Sequence, residues 1–220
     1  MFLSIKSIPK VYWSSERPLN FKPKISTLFF LCFGLSLFGL GEGLLIVSST
    51  GASPWSVLAQ GISLHIDLSI GTITFLISLA VLFLWIFLKQ KPGIGTILNA
   101  LIIALMIDLS IKFIPAPDSF IFRLILASFA VLSVGIGSGI YLVANLGPGP
   151  RDGLMTGLNK QTNQSLPLIR TFLELSAVGI GFYLGGIVGI GTLIYAVGIG
   201  FSVSTGLFIV GKIYNYNFHK

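Results

Sequence analysis

The stretch SIGTITFLISLAVLFLWIFL, residues 69–88, decides the class of this protein. It runs for 20 residues without a charged side chain, and a helix of about 20 apolar residues crosses the hydrocarbon core of a bilayer. An open sheet would leave unpaired backbone groups in lipid, so we expect helices only. Stretches of similar character predict an all-α bundle of six transmembrane helices, at residues 25–48, 69–88, 94–114, 120–146, 166–187 and 189–211.

The composition excludes an ordinary soluble globule. Of the 220 residues, 54% are hydrophobic and 10% are charged, whereas soluble domains carry about 25% charged residues. The 14 Lys and Arg residues outnumber the 7 Asp and Glu residues, which gives a net charge of +7. We interpret this excess as a topology signal with attraction to anionic lipid, and we expect no nucleic-acid partner. The single cysteine, Cys32, excludes an internal disulfide.

The distribution of Lys and Arg predicts that both termini lie in the cytoplasm. In this orientation eleven of the 14 basic residues fall in cytoplasmic segments, and among the outer segments only one border position, Lys112, is basic. The predicted divisions are a cytosolic arm over 1–24, three spans within 25–114, three spans within 115–211 and a cytosolic tail over 212–220. Trp13 and Phe21, which lie among lysines in the arm, predict contact with the membrane interface.

A shift of 96 residues aligns the two halves of the chain without a gap. Over positions 39–105 the shift yields 18 identities in 67 positions, and the tetrapeptide GIGT occurs at both 93–96 and 189–192. Each copy holds three spans, and because three is odd the second copy enters the membrane from the opposite side. The alignment therefore predicts an inverted 3+3 internal repeat, an arrangement in which transporters place their site near the midplane.

Two segments, 54–65 and 150–161, are too short to cross the bilayer and too apolar for ordinary loops. Gly and Pro precede each of them and end the preceding helix. Pro54 and Pro150 suit the first position of a new helix, where the missing N–H has no partner anyway. We therefore expect two short broken or re-entrant helices, with Ser53 as the cap of the first.

The starts of these short helices are candidate ligand contacts. Free N–H groups at a helix start favour an anion or a carboxylate. Trp55 follows the first proline, and Arg151 adds a charged donor fork after the second, with Asp152 placed to orient it. The alternative interpretation is a tight turn between helices with an arginine that only marks the cytoplasmic side.

The GIGT tetrapeptides open the last span of each half. Glycine permits close backbone approach, and the hydroxyl of Thr96 or Thr192 can cap a helix start or bind a ligand. The structural alternative is close helix packing alone. Gly39 with Gly43, and their equivalents 96 residues later, add four-residue spacings of small side chains that favour tight helix contact.

Charged residues inside spans form the last set of candidates, because a charge in a membrane helix usually faces protein or water. Arg170 and Glu174 are four residues apart and can pair on one helix face. Glu42, Asp108 and Arg123 each lie roughly 8–9 Å from the outer end of a span and could form a buried cluster. Two interpretations stay open: structural ion pairs, or a gate or proton-coupling site on each side.

We expect neither a metal site nor a cofactor, and we expect no enzyme. His65 and His219 lack a ligand-type neighbour at metal spacing, and no nucleophile–base pair is evident.

The motifs described above resemble those of the YczE-like group of bacterial membrane proteins, which is related to the broader YitT-type group. The resemblance covers residues 26–211 and is carried by GASPW at 51–55, KPGIGT at 91–96, GPGPRDGLM at 147–155, Arg170 with Glu174, and GGIVGIGT at 185–192. It implies a multi-pass protein of the bacterial inner membrane without an assigned activity. It supplies no substrate and no functional residues.

The predicted function is a small secondary transporter or channel-like carrier for an anionic or carboxylate solute. The alternative is a non-transporting scaffold or regulator that acts through a partner membrane protein. Six spans are few for a complete pathway, so a homodimer is also an expected arrangement.

Overall fold

The computed structural model describes residues 8–218, with only the backbone described for 214–218. The first seven residues of the predicted arm, as well as His219 and Lys220, lie outside the described residues. The described chain forms eight helices and no strands: α1 Ile25–Val47, α2 Pro54–Ser63, α3 Ile70–Phe87, α4 Ile94–Phe113, α5 Phe120–Ala144, α6 Pro150–Thr162, α7 Leu166–Tyr183 and α8 Ile190–Phe218.

Six of these helices, all except α2 and α6, are long and apolar enough to cross a membrane. Their surroundings are therefore a lipid bilayer, and the predicted all-α fold with six spans is confirmed. The helices α2, α3 and α4 have counterparts that begin 96 residues later, at the starts of α6, α7 and α8. Helix α8 continues beyond residue 211 and takes in most of the segment predicted as a tail.

Helices α1 and α5 cross antiparallel at the centre of the bundle, and glycines bring their backbones together. A Cβ at Gly34 would lie 2.8 Å from the Tyr141 nitrogen, and one at Gly41 would lie 2.7 Å from the Val134 nitrogen. Helix α1 packs on α4, and α5 packs on α8. A Cβ at Gly39 would lie 2.7 Å from Met106 Cβ, so the predicted small-residue face is a helix contact.

The two short helices each pack on a span of the other half: α2 on α7, and α6 on α3. In the first contact, Gly181 lies against the Leu58 backbone. In the second, the buried Trp85 ring covers Gly153, and its Nε1 donates to the Pro150 carbonyl at 3.0 Å. The halves therefore interlock through their short helices.

The chain breaks sharply before each short helix, as predicted. Gly51 and Gly147 adopt φ values of +128° and +110°, which side chains other than hydrogen rarely tolerate. Pro54 and Pro150 then occupy the first helical turn and are both buried. The short helices thus begin inside the bundle.

The described part of the N-terminal arm folds back onto the bundle. Trp13 is 5% exposed and stacks on Phe30 with ring centroids 4.5 Å apart. The Ser15 nitrogen donates to the Ala144 carbonyl at 3.0 Å. The expected interfacial position of Trp13 is therefore wrong, because its ring fills a core site, whereas the Phe21 side chain is 71% exposed.

The outer spans of the two halves differ in their packing. Helix α3 packs along α4, but within the described chain α7 does not pack along α8. Correspondingly, 33% of the membrane window of α3 is buried and only 17% of that of α7. The second half is therefore the more open of the two.

Candidate functional site

A cavity of about 220 Å³ lies at the start of α6, and seven of the helices contribute to its wall besides α6 itself. Half of the twelve candidate residues from the sequence line this cavity together. They are Trp55, Pro150, Arg151, Asp152, Arg170 and Glu174. The structure thus joins candidates that lie far apart in the sequence.

Arg151 is the central cation of the cavity. Its Cζ lies 5.1 Å from the ring centroid of Trp55, a cation–π arrangement. The side chain is half-buried, and no salt bridge joins it to a carboxylate within the described residues. Burial lowers the pKa of the Arg151 guanidinium, while the negative charges of Glu42 and Asp152 act in the opposite direction.

Asp152 does not orient Arg151, contrary to expectation. Its Oδ2 instead accepts a hydrogen bond from the Tyr141 hydroxyl at 2.7 Å. Residue 152 lies one position further round the helix than Arg151 and faces α5. The guanidinium therefore keeps its donors for the cavity.

Arg170 and Glu174 form the predicted pair, with 2.8 Å between Nε and Oε1. Their side chains are 51% and 29% exposed. The charge of Arg170 is balanced by its neighbour, whereas that of Arg151 is not.

Much of the cavity wall consists of positions that are 96 residues apart. Thr74 and Ser78 of α3 correspond to Arg170 and Glu174 of α7, and both pairs line the cavity. Further such pairs are Trp55 with Arg151, Asn99 with Tyr195, and Ile103 with Ile199. The cavity therefore lies where equivalent surfaces of the two halves face each other.

Sequence reasoning missed several polar lining residues, namely Thr74, Ser78, Asn99, Ser138, Tyr141 and Tyr195. The 96-residue shift applied to Arg170 and Glu174 would have found two of them. Nothing else in a single sequence marks a lone hydroxyl or amide side chain within an apolar stretch as part of a site.

Thr96 and Thr192 lie outside this cavity wall and are buried at helix starts. The Thr96 hydroxyl donates to the Pro148 carbonyl at 2.7 Å, and Thr192 Oγ1 accepts from the Ala52 nitrogen at 3.2 Å. Each threonine thereby binds the chain break of the other half. These contacts favour the structural interpretation of the GIGT motifs.

Glu42 is 1% exposed and lies beside the start of α2, next to Pro54. Its Oε2 accepts from the Ser53 and Ser56 hydroxyls at 2.6 and 2.7 Å. Its Oε1 is buried, and no residue of the described chain forms a hydrogen bond with it. The expected Ser53 cap is therefore wrong, because the Ser53 hydroxyl donates to Glu42 and makes no capping bond.

The expected cluster of Glu42, Asp108 and Arg123 is not formed. Asp108 accepts from Ser69 Oγ at 2.6 Å and fixes the start of α3, while Arg123 Nε donates to the Pro117 carbonyl at 2.6 Å. Within residues 8–218 no salt bridge joins the three. Similar depth did not bring them together because each faces a different neighbour.

No group of three or more His, Cys, Asp or Glu side chains in the described chain could hold a metal ion.

The chain is similar to several bacterial proteins, one of which is named as a membrane protein. The model of a family of unknown function, DUF6198, matches residues 25–206. An uncharacterised protein of Haemophilus influenzae is 38% identical over 216 residues, which is 98% of both chains. The uncharacterised membrane protein YczE of Bacillus subtilis is 33% identical over 171 residues, 77% of both chains.

The uncharacterised protein YyaS of Bacillus subtilis is 28% identical over 165 residues, which is 73% of this chain and 82% of its own. No solved structure matches the chain. The chain belongs to the DUF6198 family, and the resemblance to YczE-like membrane proteins is confirmed.

Proposed function

We propose that this member of the family is a small carrier or channel-like transporter for an anionic or carboxylate solute, not an enzyme. The observation that carries the proposal is Arg151. Its guanidinium lines a cavity inside a bundle of membrane helices, and within the described residues it has no carboxylate partner. A charge in a membrane protein without a structural partner is by default a functional site.

The chemistry of this wall favours an anion. Arg151 is the second residue of the 13-residue helix α6, so its charge adds to the positive end of the helix dipole. The amide of Asn99 and the hydroxyl of Tyr195 supply further donors in the same wall. A volume of about 220 Å³ equals roughly seven water molecules at ~30 Å³ each, which suits a small carboxylate or inorganic anion.

The position of the cavity favours transport over static binding. Its wall combines equivalent positions from the two halves, and we propose that these halves are an inverted duplication. Transporters built in this way hold the solute between the repeats and expose it to each side in turn by rocking one repeat against the other. The same wall then serves both the inward-open and the outward-open states.

We propose the bacterial inner membrane as the location, with both termini in the cytoplasm. Pro9 lies beside Gly211, with a separation of 3.7 Å from a Cβ placed there, so the two described ends of the chain share one side. The distribution of Lys and Arg supports the cytoplasm as that side.

The proposal is tested with purified protein in liposomes that are loaded in turn with nitrate, chloride, phosphate, formate and acetate. We expect saturable flux of at least one anion, reduced at least tenfold by Arg151→Gln. Arg123→Gln is the matched control, because Arg123 binds the Pro117 carbonyl outside the cavity wall. Folded wild-type protein that passes none of these anions would contradict the proposal, as would Arg151→Gln with wild-type flux.

A second candidate, a scaffold or regulator for another membrane protein, is favoured by one observation. Helix α7 packs on α2 and α6 but leaves apolar side chains such as Phe172 and Leu175 more than 60% exposed. A second copy or a partner helix could cover this face instead of lipid. Stable co-purification of one partner in mild detergent, together with absent flux, would support this candidate.

A further inference from the structure

Glu42 is a buried carboxyl group that the proposed anion site does not use. It lies on α1 at the start of α2, and its Oε2 accepts two hydroxyl hydrogen bonds, from Ser53 and Ser56. Its Oε1 is buried and has no hydrogen-bond partner among the described residues. A buried carboxylate oxygen without a donor is costly, so this atom is the natural place for a proton.

Among the charged and titratable groups around Glu42, one cation can balance a negative charge on its carboxyl group. On the elements packed against α1, Asp108 of α4 is bound to Ser69 and the Gly71 nitrogen, and Arg123 of α5 is bound to the Pro117 carbonyl. Arg151 of α6 meets the same first turn of α2 as Glu42 does. Ser53 and Ser56 of that turn donate to Glu42, and the ring of Trp55 between them lies 5.1 Å from the Arg151 Cζ. Arg151 is therefore the cation that this turn brings towards Glu42.

An anion at Arg151 would remove this balance. The positive charge of Arg151 and the two serine hydroxyls are the groups that can offset a negative charge on Glu42. When an anion neutralises Arg151, the carboxylate is left with uncompensated charge in an apolar interior. A proton on Oε1 restores neutrality and leaves both serine hydrogen bonds to Oε2 in place.

We propose that Glu42 takes up one proton when an anion binds at Arg151, so that the protein carries the anion and the proton together. This inference rests on the proposed function. In the balanced step the anion and the proton enter as a pair, no net charge is added to the interior, and both leave on the other side. Linkage requires the reverse effect as well: protonation of Glu42 strengthens anion binding.

The first test is infrared difference spectroscopy of protein films perfused with sodium nitrate, acetate or phosphate at neutral pH. An anion that binds should produce the carbonyl stretch of a protonated carboxylic acid, shifted in D₂O. Glu42→Gln should abolish this band, whereas Asp118→Asn, which changes an exposed carboxyl group outside the cavity wall, should retain it. Anion binding is measured separately by the fluorescence of Trp55, which stacks on Arg151.

A second variant leaves Glu42 in place. Arg151→Gln removes the balancing cation permanently, so the Glu42 band should be present without any anion and absent from Arg151→Gln/Glu42→Gln. Two results would overturn the inference and leave the proposed function intact. The first is anion binding by the wild-type protein without a Glu42 band, and the second is an anion-free Arg151→Gln variant that lacks the Glu42 band. If none of the three anions binds, the proposed function fails and the inference fails with it.

Discussion

The two halves of the bundle meet at the cavity with the same backbone plan and different side chains. The first half contributes Trp55, Thr74 and Ser78, all uncharged. At the positions 96 residues later the second half contributes Arg151, Arg170 and Glu174. Helix placement therefore follows the plan that the two halves share, whereas the charged groups of the site are concentrated in the second half.

The structural contacts of the halves show the same division. Trp85 of α3 packs on Gly153 of α6, and at the equivalent positions Gly181 of α7 packs on Val57 of α2. The contact is kept, but the second one lacks the tryptophan ring, and Gly181 lies directly against the backbone of α2. Because Gly181 leaves α7 slender and α7 does not pack along α8 in the described chain, the cavity is less enclosed on the side of the second half.

The largest expected effect is on stability and comes from a substitution that breaks the contact between α3 and α6. Trp85→Ala removes a ring that is 1% exposed and the hydrogen bond to Pro150, and we expect a loss of about 3–5 kcal/mol of stability. Thermal unfolding in detergent measures this loss. Phe87→Ala, on the same helix and 65% exposed, is the control and should change the melting temperature little. Equal effects of the two variants would contradict the assigned contact.

The second prediction exchanges the central pair between the halves. Arg151→Trp should weaken anion binding by about 10–150-fold, the equivalent of ~1.5–3 kcal/mol for hydrogen bonds to a charged group. The double exchange Trp55→Arg/Arg151→Trp places the guanidinium on the other side of the same cavity and should recover most of the affinity. Titration calorimetry with the transported anion checks both. A double variant as weak as the single one would show that the two positions are not interchangeable.

The third prediction compares glycines at contacts with glycines in open positions. Gly41→Ala should destabilise the α1–α5 crossing by about 1–3 kcal/mol, because the new Cβ would lie 2.7 Å from the Val134 nitrogen. Gly200→Ala meets no atom within 4 Å and should stabilise α8 by up to about 1 kcal/mol through helix propensity. Melting temperatures of the two variants should move in opposite directions.

The smallest expected difference is in stability and lies between variants of Thr96 and of Thr192. Thr96→Val removes a 2.7 Å hydrogen bond to Pro148, and we expect a loss of about 1–2 kcal/mol. Thr192→Val removes longer bonds, of 3.2 and 3.3 Å, to the Ala52 and Gly189 nitrogens, and should cost about 0.5–1 kcal/mol. A larger effect at Thr192 would contradict this order.

The fold was predictable because each of its main features has a sequence signal. Apolar length gives the spans, Gly and Pro mark the chain breaks, and the 96-residue shift locates the starts of α6, α7 and α8. The site was only partly predictable. Arg151 and the Arg170–Glu174 pair stand out as charges in apolar surroundings, but the Asp152–Tyr141 bond depends on the rotation of α5 about its axis.

Other features of the site have no signal in a single sequence. Glu42 meets Ser53 and Ser56 only because the chain turns back at Gly51 and begins α2 inside the bundle. Equal depth alone suggested the wrong partners, Asp108 and Arg123. The separation of α7 from α8 is equally hard to predict, since the lower mean hydropathy of α7, 1.3 against 2.0 for α8, does not tell which helix it packs on.

The proposed transport mechanism requires that the two halves have opposite orientations around one cavity. Cysteine labelling tests this requirement most directly. In a Cys32→Ser background, two equivalent exposed positions near the ends of the short helices are changed singly, His65→Cys and Gln161→Cys. We predict that a membrane-impermeant maleimide labels position 65 in intact cells and position 161 only after the inner membrane is permeabilised. Labelling of both positions from the same side would contradict the account.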